Sequence, residues 1–442
     1  VRARCLFAEI DFMTTRRFAL GVAPALTFAL FATVLRAEPQ SSYKFDFGAP
    51  AATAGRIALT KVEPYSTERG YGFEGSPQLK FVGAAGGGGD HYLTSDKPFF
   101  FSMDVPEGNY RVTVAFGAKD LPSDTTVKAE LRRLMLEKVH TDPGETVTKS
   151  FIVNVRTPQY PGGRVRLKAP RESVQEAWAW DSRITLEFNN AHPVIRSVEV
   201  EKVDVPTVYI LGDSTSCDQS REPYCSWGQM FTRFFKDDIA IANHGESGES
   251  VGSSNGAHRF DKILSLIKPG DYFITQFGHN DMKGTAPEVY KAGLVKWVAA
   301  IKAKGATPII VTPVSRYSFS NGVITNSLKE FPQAARDAAK ESGAGLVDLT
   351  EMSKSMYEAM GPEAAHQLFE HQNGKYDGTH HSPYGAYQIA QCVIEGIRKS
   401  NPGLAGHLVA DYKPFDITHP QKESDFAVPP TPLATSETPF GN

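Results

Sequence analysis

The sequence predicts two fold classes in one chain: an all-β sandwich, then an α/β domain of three layers, α/β/α, built on a parallel sheet. Three observations carry this. Residues 41–204 hold short alternating runs separated by turn residues, the pattern of antiparallel sheets packed face to face. After Pro206 the rhythm changes to strands alternating with helices, which requires crossovers and a parallel sheet covered on both faces. At the junction, the apolar run Val208-Tyr209-Ile210-Leu211 stops at Gly212-Asp213-Ser214-Thr215, as a buried strand does when it opens onto a loop.

Size and charge narrow the possibilities. At 442 residues the chain is long enough for two or three domains with their own cores. Its net charge of −3 provides no basic field for nucleic acid. The beginning reads as a leader. Met13-Thr14-Thr15-Arg16-Arg17 is a basic start, residues 18–35 are apolar, and Leu35-Arg36-Ala37 resembles a cleavage site. An export signal over 1–37 is expected, by the general or the twin-arginine route, and with it a periplasmic or extracellular protein. Gly21 and Pro24 within the stretch, and the lack of a stop-transfer flank, count against a membrane anchor. Cys217 and Cys225 flank one loop and are free either to pair or to remain thiols, whereas Cys392 lies on an apolar helical stripe and reads as a buried thiol.

In the first half, Tyr43-Lys44-Phe45-Asp46-Phe47, the run 110–116 and the run 183–188 alternate apolar and polar residues. Turns such as Pro106-Glu107-Gly108-Asn109 and Asp142-Pro143-Gly144 bound them. Residues 127–139 have helical propensity but sit among strands, and are read as strand. In the second half, strands are expected at 239–242, 272–277, 307–311 and 345–349. Helices are expected at 287–303, where Pro287 suits the first turn and Leu294, Val298 and Ile301 share a face, then at 328–342 and 384–399. The domains are therefore 41–204 and 206–411. Residues 412–442, Pro- and Thr-rich without periodicity, are expected to be a loose tail.

Several motif matches fail on context. Gly70-Tyr71-Gly72-Phe73-Glu74-Gly75 fits a dinucleotide-binding pattern, but Ser76-Pro77 follows where a helix is required, so a sandwich loop is expected. Residues 86–89 form a glycine turn with no following lysine. His366 and His371, with Glu370 between them, miss zinc-protease spacing. Gly212-Asp213-Ser214-Thr215-Ser216 lacks the last glycine of a nucleophile elbow. Tyr71, Phe73, Trp178 and Trp180 read first as sandwich core and second as sugar-stacking surface.

Serine chemistry remains. A serine hydroxyl needs a neighbouring base, a carboxylate to orient that base, and N–H donors where charge develops on the acyl oxygen. Asp377-Gly378-Thr379-His380 offers a base and its carboxylate on an expected loop before the last helix, with two residues between them for a single turn. His381 would point elsewhere. Asn243-His244-Gly245-Glu246-Ser247-Gly248 and Phe277-Gly278-His279-Asn280-Asp281 each follow a predicted strand and carry donor types suited to an oxyanion hole. Gly-Asp-Ser by itself arises by chance in roughly one chain of this length in ten. The ordered set is far more specific.

These four blocks resemble those of the SGNH (GDSL-like) hydrolase superfamily. Tyr209-Ile210-Leu211-Gly212-Asp213-Ser214-Thr215 and Ser226-Trp227-Gly228-Gln229-Met230 look more narrowly like rhamnogalacturonan acetylesterases of carbohydrate esterase family 12. The resemblance covers about residues 207–400, and the β-rich half resembles the galactose-binding-like domain of some bacterial relatives. It implies an SGNH-type domain in which Ser214 is the nucleophile, His380 the general base and then acid, and Asp377 its orienting carboxylate. The oxyanion hole would comprise the N–H groups of Ser214 and Gly248 and the side chain of Asn280, with Gly245 the other glycine in that loop. Asp213 would be structural and His279 would line the pocket. The implied activity is removal of O-acetyl groups from acetylated plant polysaccharide, rhamnogalacturonan in particular, by a monomer that needs no metal or cofactor and, once its signal is cleaved, no membrane. The competing readings are an esterase acting on acetylated xylan, other glycans or lipid, and a polysaccharide-binding protein whose hydrolase half is inactive.

Overall fold

Alternation along Gly108–Phe116 buries Tyr110, Val112, Val114 and Phe116, while the intervening residues face outward. Repeated from strand to strand, this builds two sheets closed over one apolar core. One sheet runs in the order Val147–Val155, Gly108–Phe116, Val194–Val203, Ser42–Phe47, Ile57–Leu59, with Lys80–Val82 and Tyr92–Thr94 joined beside Val194–Val203. The other runs Tyr71–Phe73, Phe99–Asp104, Arg183–Asn189, Ser123–Ala129, Arg133–Thr141. Phe45 of the first sheet meets Phe101 of the second edge-on, with ring centroids 4.9 Å apart. Among the described strands of this half, pairing is antiparallel except between Ser42–Phe47 and Ile57–Leu59, which is parallel. A computed structural model of the chain describes residues 39–50, 54–83, 90–372 and 375–433, so the leader expected over 1–37 lies outside the described residues.

One expectation for this half changes: Tyr71–Phe73 is a strand rather than a loop, paired with Phe99–Asp104. The stretch 127–139, read as strand, belongs to two strands, and the turn between them bears Glu130 and Arg132 at φ of 56° and 63°, both buried. Buried charged residues in the left-handed region are held only where their surroundings over-determine them.

From Thr207 onward five parallel strands line up in the order Ala240–Asn243, Thr207–Gly212, Tyr272–Gln276, Thr307–Val311, Gly345–Val347. Successive residues of the second of these serve opposite layers. Val208 and Ile210 pack toward Trp227, Met356, Ile389 and Val393, whereas Tyr209 and Leu211 pack toward Phe260, Leu294 and Trp297. Helices therefore cover both faces, Trp227–Phe231, Leu349–Ala365 and Pro383–Ser400 on one and Arg259–Leu266, Pro287–Ala303 and Phe331–Ser342 on the other. The order reverses between Thr207–Gly212 and Tyr272–Gln276. A crevice outside the carboxyl ends at such a point is where open α/β sheets bind ligands.

The C-terminal segment is not loose as far as Leu433. Phe426 packs on Tyr384 and Tyr387. Lys128 Nζ donates to Pro429 O (2.6 Å), Asn189 Nδ2 to Pro430 O (2.9 Å), Thr431 Oγ1 to Glu187 (2.7 Å) and Glu222 N to Leu433 O (2.7 Å). A Pro-Pro backbone lacks N–H groups but offers carbonyls, so it is secured by donors from elsewhere, which periodicity does not register.

Candidate active site

Ser214 stands two residues beyond the strand Thr207–Gly212. A Cβ on Gly212 would come within 2.1 Å of Ser216 Oγ and 2.6 Å of Gln276 O, so only glycine lets the chain turn there. Asp213 closes the turn. Its Oδ1 accepts from Thr215 N (3.0 Å) and Thr215 Oγ1 (2.8 Å), and its carbonyl accepts from the N–H groups of Ser216 and Cys217. Burial pushes the Asp213 carboxyl up, and it plays the structural part expected of it. The carbonyl of Ser214 accepts from Gln219 Nε2 (2.9 Å) and Ser226 Oγ (2.6 Å), which fixes the backbone that carries the hydroxyl.

His380 arrives 166 residues later. His380 Nε2 lies 2.8 Å from Ser214 Oγ, and its Nδ1 lies 2.8 Å from Asp377 Oδ2. The segment is not the expected loop but the strand Lys375–His381, paired with Phe369–Gln372. Pairing runs from Glu370–Asp377 directly to Phe369–His381, so Gly378, Thr379 and His380 bulge out of the ribbon. Asp377 Oδ1 accepts the N–H groups of Thr379 (2.9 Å) and His380 (3.0 Å), which closes the bulge and sets the imidazole against Oδ2. Burial alone would raise this carboxyl, but the hydrogen bond and charge of His380 and the two N–H groups hold it well below the usual carboxylate range. His381 turns away, its Nε2 3.0 Å from Tyr357 OH and its ring stacked on Phe369. Cys225 N donates to His381 O (3.0 Å) and stitches the end of the serine loop to the strand of the base.

The loops of Gly248 and Asn280 lie beside each other at the same sheet edge. Gly248, at φ 76°, is in the loop after Ala240–Asn243, and Asn280 is in the loop after Tyr272–Gln276. Asn280 Nδ2 donates to Glu249 O (2.9 Å), and Val251 N donates to Asp281 Oδ1 (3.0 Å), so the loops brace each other. A Cβ on Gly245 would sit 3.1 Å from Gly212 O, so that residue packs against the serine strand. Burial pushes the Asp281 carboxyl up to about 7 against the Val251 N–H it accepts, and nearby Asp213 adds to burial. His279 is buried and held below its ordinary value by that burial and by Arg316, whose Nε lies 3.4 Å from its Nδ1.

The sandwich supplies residues that sequence reasoning missed. Arg133 Nε is 2.8 Å from Asp218 Oδ2, both side chains buried, and Asp218 Oδ1 accepts from Asn243 Nδ2 (2.8 Å). Arg132 donates to the carbonyls of Gln219 (3.2 Å) and Tyr224 (2.7 Å) and pairs with Glu222 (2.6 Å). Lys168 Nζ donates to Ser247 O (2.7 Å) and pairs with Glu249 (2.8 Å), and Arg171 pairs with Glu246 (2.9 Å). The available signal was Glu130-Leu131-Arg132-Arg133, a charged block between two apolar runs. Cys217, Cys225 and Cys392 are buried free thiols. Trp180 is buried with its Nε1 on Glu172 (3.0 Å), Phe73 is core, and Trp178 leans on Phe100, which fits the core reading of those aromatics. Among the described residues, Glu172, Glu176 and Glu246 form one acidic group close enough to hold an ion, but Arg259 and Arg171 already face those carboxylates at 2.5–2.9 Å.

Comparison with known proteins agrees with this geometry. Residues 210–386 match the GDSL-like lipase/acylhydrolase family, and residues 43–157 match the beta-agarase/YXIM esterase-like, galactose-binding domain-like family. Rhamnogalacturonan acetylesterase RhgT of Bacillus subtilis (strain 168) is 38% identical over 218 residues, 46% of this chain and 94% of RhgT. The uncharacterized esterase YxiM of the same organism is 27% identical over 400 residues, 86% of this chain and 96% of YxiM. Its probable rhamnogalacturonan acetylesterase YesY is 31% identical over 217 residues, 46% of this chain and 98% of YesY. The chain belongs to the GDSL-like (SGNH) lipase/acylhydrolase family, a carboxylic ester hydrolase whose catalytic region follows a galactose-binding-like β domain.

Proposed function

We propose that the protein is an exported acetylesterase that removes O-acetyl groups from rhamnogalacturonan, with Ser214 as nucleophile. One observation carries the chemistry: Ser214 Oγ, the His380 ring and the Asp377 carboxylate form a continuous chain with two contacts of 2.8 Å. The substrate rests on relatives named as rhamnogalacturonan acetylesterases at 38% and 31% identity. Export rests on the basic and apolar pattern over 13–37; among the described residues no helix is long and apolar enough to cross a membrane.

As Ser214 Oγ attacks the acetyl carbonyl, His380 Nε2 takes the hydroxyl proton and Asp377 steadies the imidazolium. Negative charge grows on the acyl oxygen, toward the N–H groups of Ser214 and Gly248 and the second amide hydrogen of Asn280, whose first is spent on Glu249 O. His380 then protonates the departing sugar hydroxyl, leaving an acetyl ester on Ser214. Water enters, gives its proton to the same nitrogen, and acetate leaves as Ser214 Oγ recovers its hydrogen. Acetate release from acetylated rhamnogalacturonan, measured beside acetylated xylan and a long-chain ester, tests the reading. Turnover on the first should dominate and fall about 10⁵–10⁶-fold in Ser214→Ala. Dominant turnover on xylan or the long-chain ester would replace the substrate, and undiminished turnover in Ser214→Ala would remove the mechanism.

A further inference from the structure

Arg316 is a half-buried cation at the same sheet edge, five residues beyond the end of the strand Thr307–Val311. Two contacts locate it. Its Nε lies 3.4 Å from His279 Nδ1, against the loop that carries Asn280. The next residue, Tyr317, donates its N–H to Gly378 O at 2.8 Å, against the bulge that carries Asp377 and His380. The segment that carries Arg316 therefore touches both the loop of Asn280 and the bulge of His380. Asp213 and Asp377 attract it through space, yet no carboxylate lies within ion-pair distance among the described residues. Both have other commitments, Asp213 to Thr215 and Asp377 to His380 and two N–H groups. Lys283 is close enough for the two positive charges to disfavour each other.

The arginines of the sandwich interface differ. Arg132, Arg133, Arg171 and Arg259 each face a carboxylate at 2.5–2.9 Å. Of the Arg316 guanidinium nitrogens, Nε alone has a hydrogen-bond partner among the described residues, and a planar fork of donors on a permanent cation matches a carboxylate in two parallel hydrogen bonds. The reacting acetyl ester is neutral, and its developing oxyanion has its own donors in Gly248 and Asn280. A permanent cation beside such a site suits a permanent anion carried elsewhere on the substrate. A pectic chain has one in its uronate carboxylates; a xylose backbone has none.

We propose that Arg316 recognises the carboxylate of a uronate residue in the polysaccharide, so that an acidic backbone is a condition of efficient deacetylation. The inference rests on the acetylesterase reading and narrows it.

The test compares kcat/KM for acetate release from acetylated rhamnogalacturonan oligosaccharides and from the same oligosaccharides after their carboxyl groups are reduced to alcohols. A bidentate charge-assisted contact should favour the acid form by roughly 10- to 100-fold in the natural protein. In Arg316→Gln the ratio should fall to about unity, and Arg316→Lys should keep part of it, because a point charge attracts without the fork. Because the readout is a ratio within one protein, a general loss of activity in a variant does not affect it. Equal rates on the two substrates in the natural protein, or an unchanged ratio in Arg316→Gln, would overturn this inference alone. A natural protein that cleaves a simple aryl acetate but neither oligosaccharide would overturn the rhamnogalacturonan substrate, and this inference with it.

Discussion

Ser214 and His380, 2.8 Å apart, are held in position by opposite means. The Asp377–His380 bulge is almost self-sufficient, since one carboxylate accepts the two N–H groups that close the turn and the ring it orients, all within four residues. The Ser214 loop is braced from outside. Gln219, which holds the Ser214 carbonyl, is itself gripped by Arg132 and by Gln229, and Gln229 also reaches Leu131 O (2.7 Å) in the sandwich turn. A turn closed by its own residues depends little on its surroundings, whereas the loop of Ser214 depends on contacts from the sandwich. The sandwich is thus a structural component of the catalytic unit as well as a neighbour of it.

Four substitutions sharpen this contrast. Asp377→Asn strikes the self-contained side: it removes the charge that steadies the imidazolium and favours the wrong tautomer, and kcat should fall about 10³- to 10⁴-fold with the fold intact by circular dichroism. A loss under tenfold would deny Asp377 its orienting role. Arg133→Met strikes the braced side. It leaves Asp218 buried and unpaired, which should cost about 3–5 kcal/mol in urea unfolding. Stability within about 0.5 kcal/mol of the natural protein would mean that the halves are energetically independent. Asn280→Ala removes one donor and should lower kcat about 10²- to 10³-fold with a smaller change in KM; a change in KM alone would show that Asn280 holds substrate in the ground state only.

The smallest expected effect concerns Asp281. Its folded carboxyl sits at about 7, above the ~3.9 of an unfolded aspartate, so the folded protein binds the proton more tightly between those values. Unfolding free energy should therefore decline as pH rises from about 4 to about 7. Asp281→Asn, which still accepts from Val251 N, should gain about 1–2 kcal/mol relative to the natural protein across that window and nothing further above it. A constant difference from pH 4 to 8 would contradict the burial argument.

What sequence reasoning could see follows from the same contrast. The helix Pro287–Ala303 and the strand Thr307–Val311 were legible to the residue, because Pro287 marks a first turn and Leu294, Val298 and Ile301 mark one face. Three of the four site blocks were legible because each follows a strand of one sheet, and the fourth because a local Asp-x-x-His spacing suffices for a bulge in a separate ribbon. The braces were not. Arg132, Arg133, Lys168 and Arg171 sit on a different fold from the loops they hold, and buried charges paired at long range leave no periodic trace. The ribbon that bears His380 carries no sequence signal of its own, since its partner, Phe369–Gln372, lies just beyond a kinked helix with a non-helical residue at Gly361. The strap at 426–433 escaped for a related reason, since its carbonyls are bound by Lys128 and Asn189 from strands far upstream.

The central claim is that Ser214 becomes a nucleophile because His380 and Asp377 stand behind it. Peptide mass spectrometry after exposure to a serine-reactive phosphonate ester tests it most directly. The account predicts one adduct per chain, on the peptide bearing Ser214, appearing in step with loss of esterase activity and absent from His380→Ala under the same conditions. Complete inactivation with Ser214 unmodified, or equal labelling in His380→Ala, would contradict it.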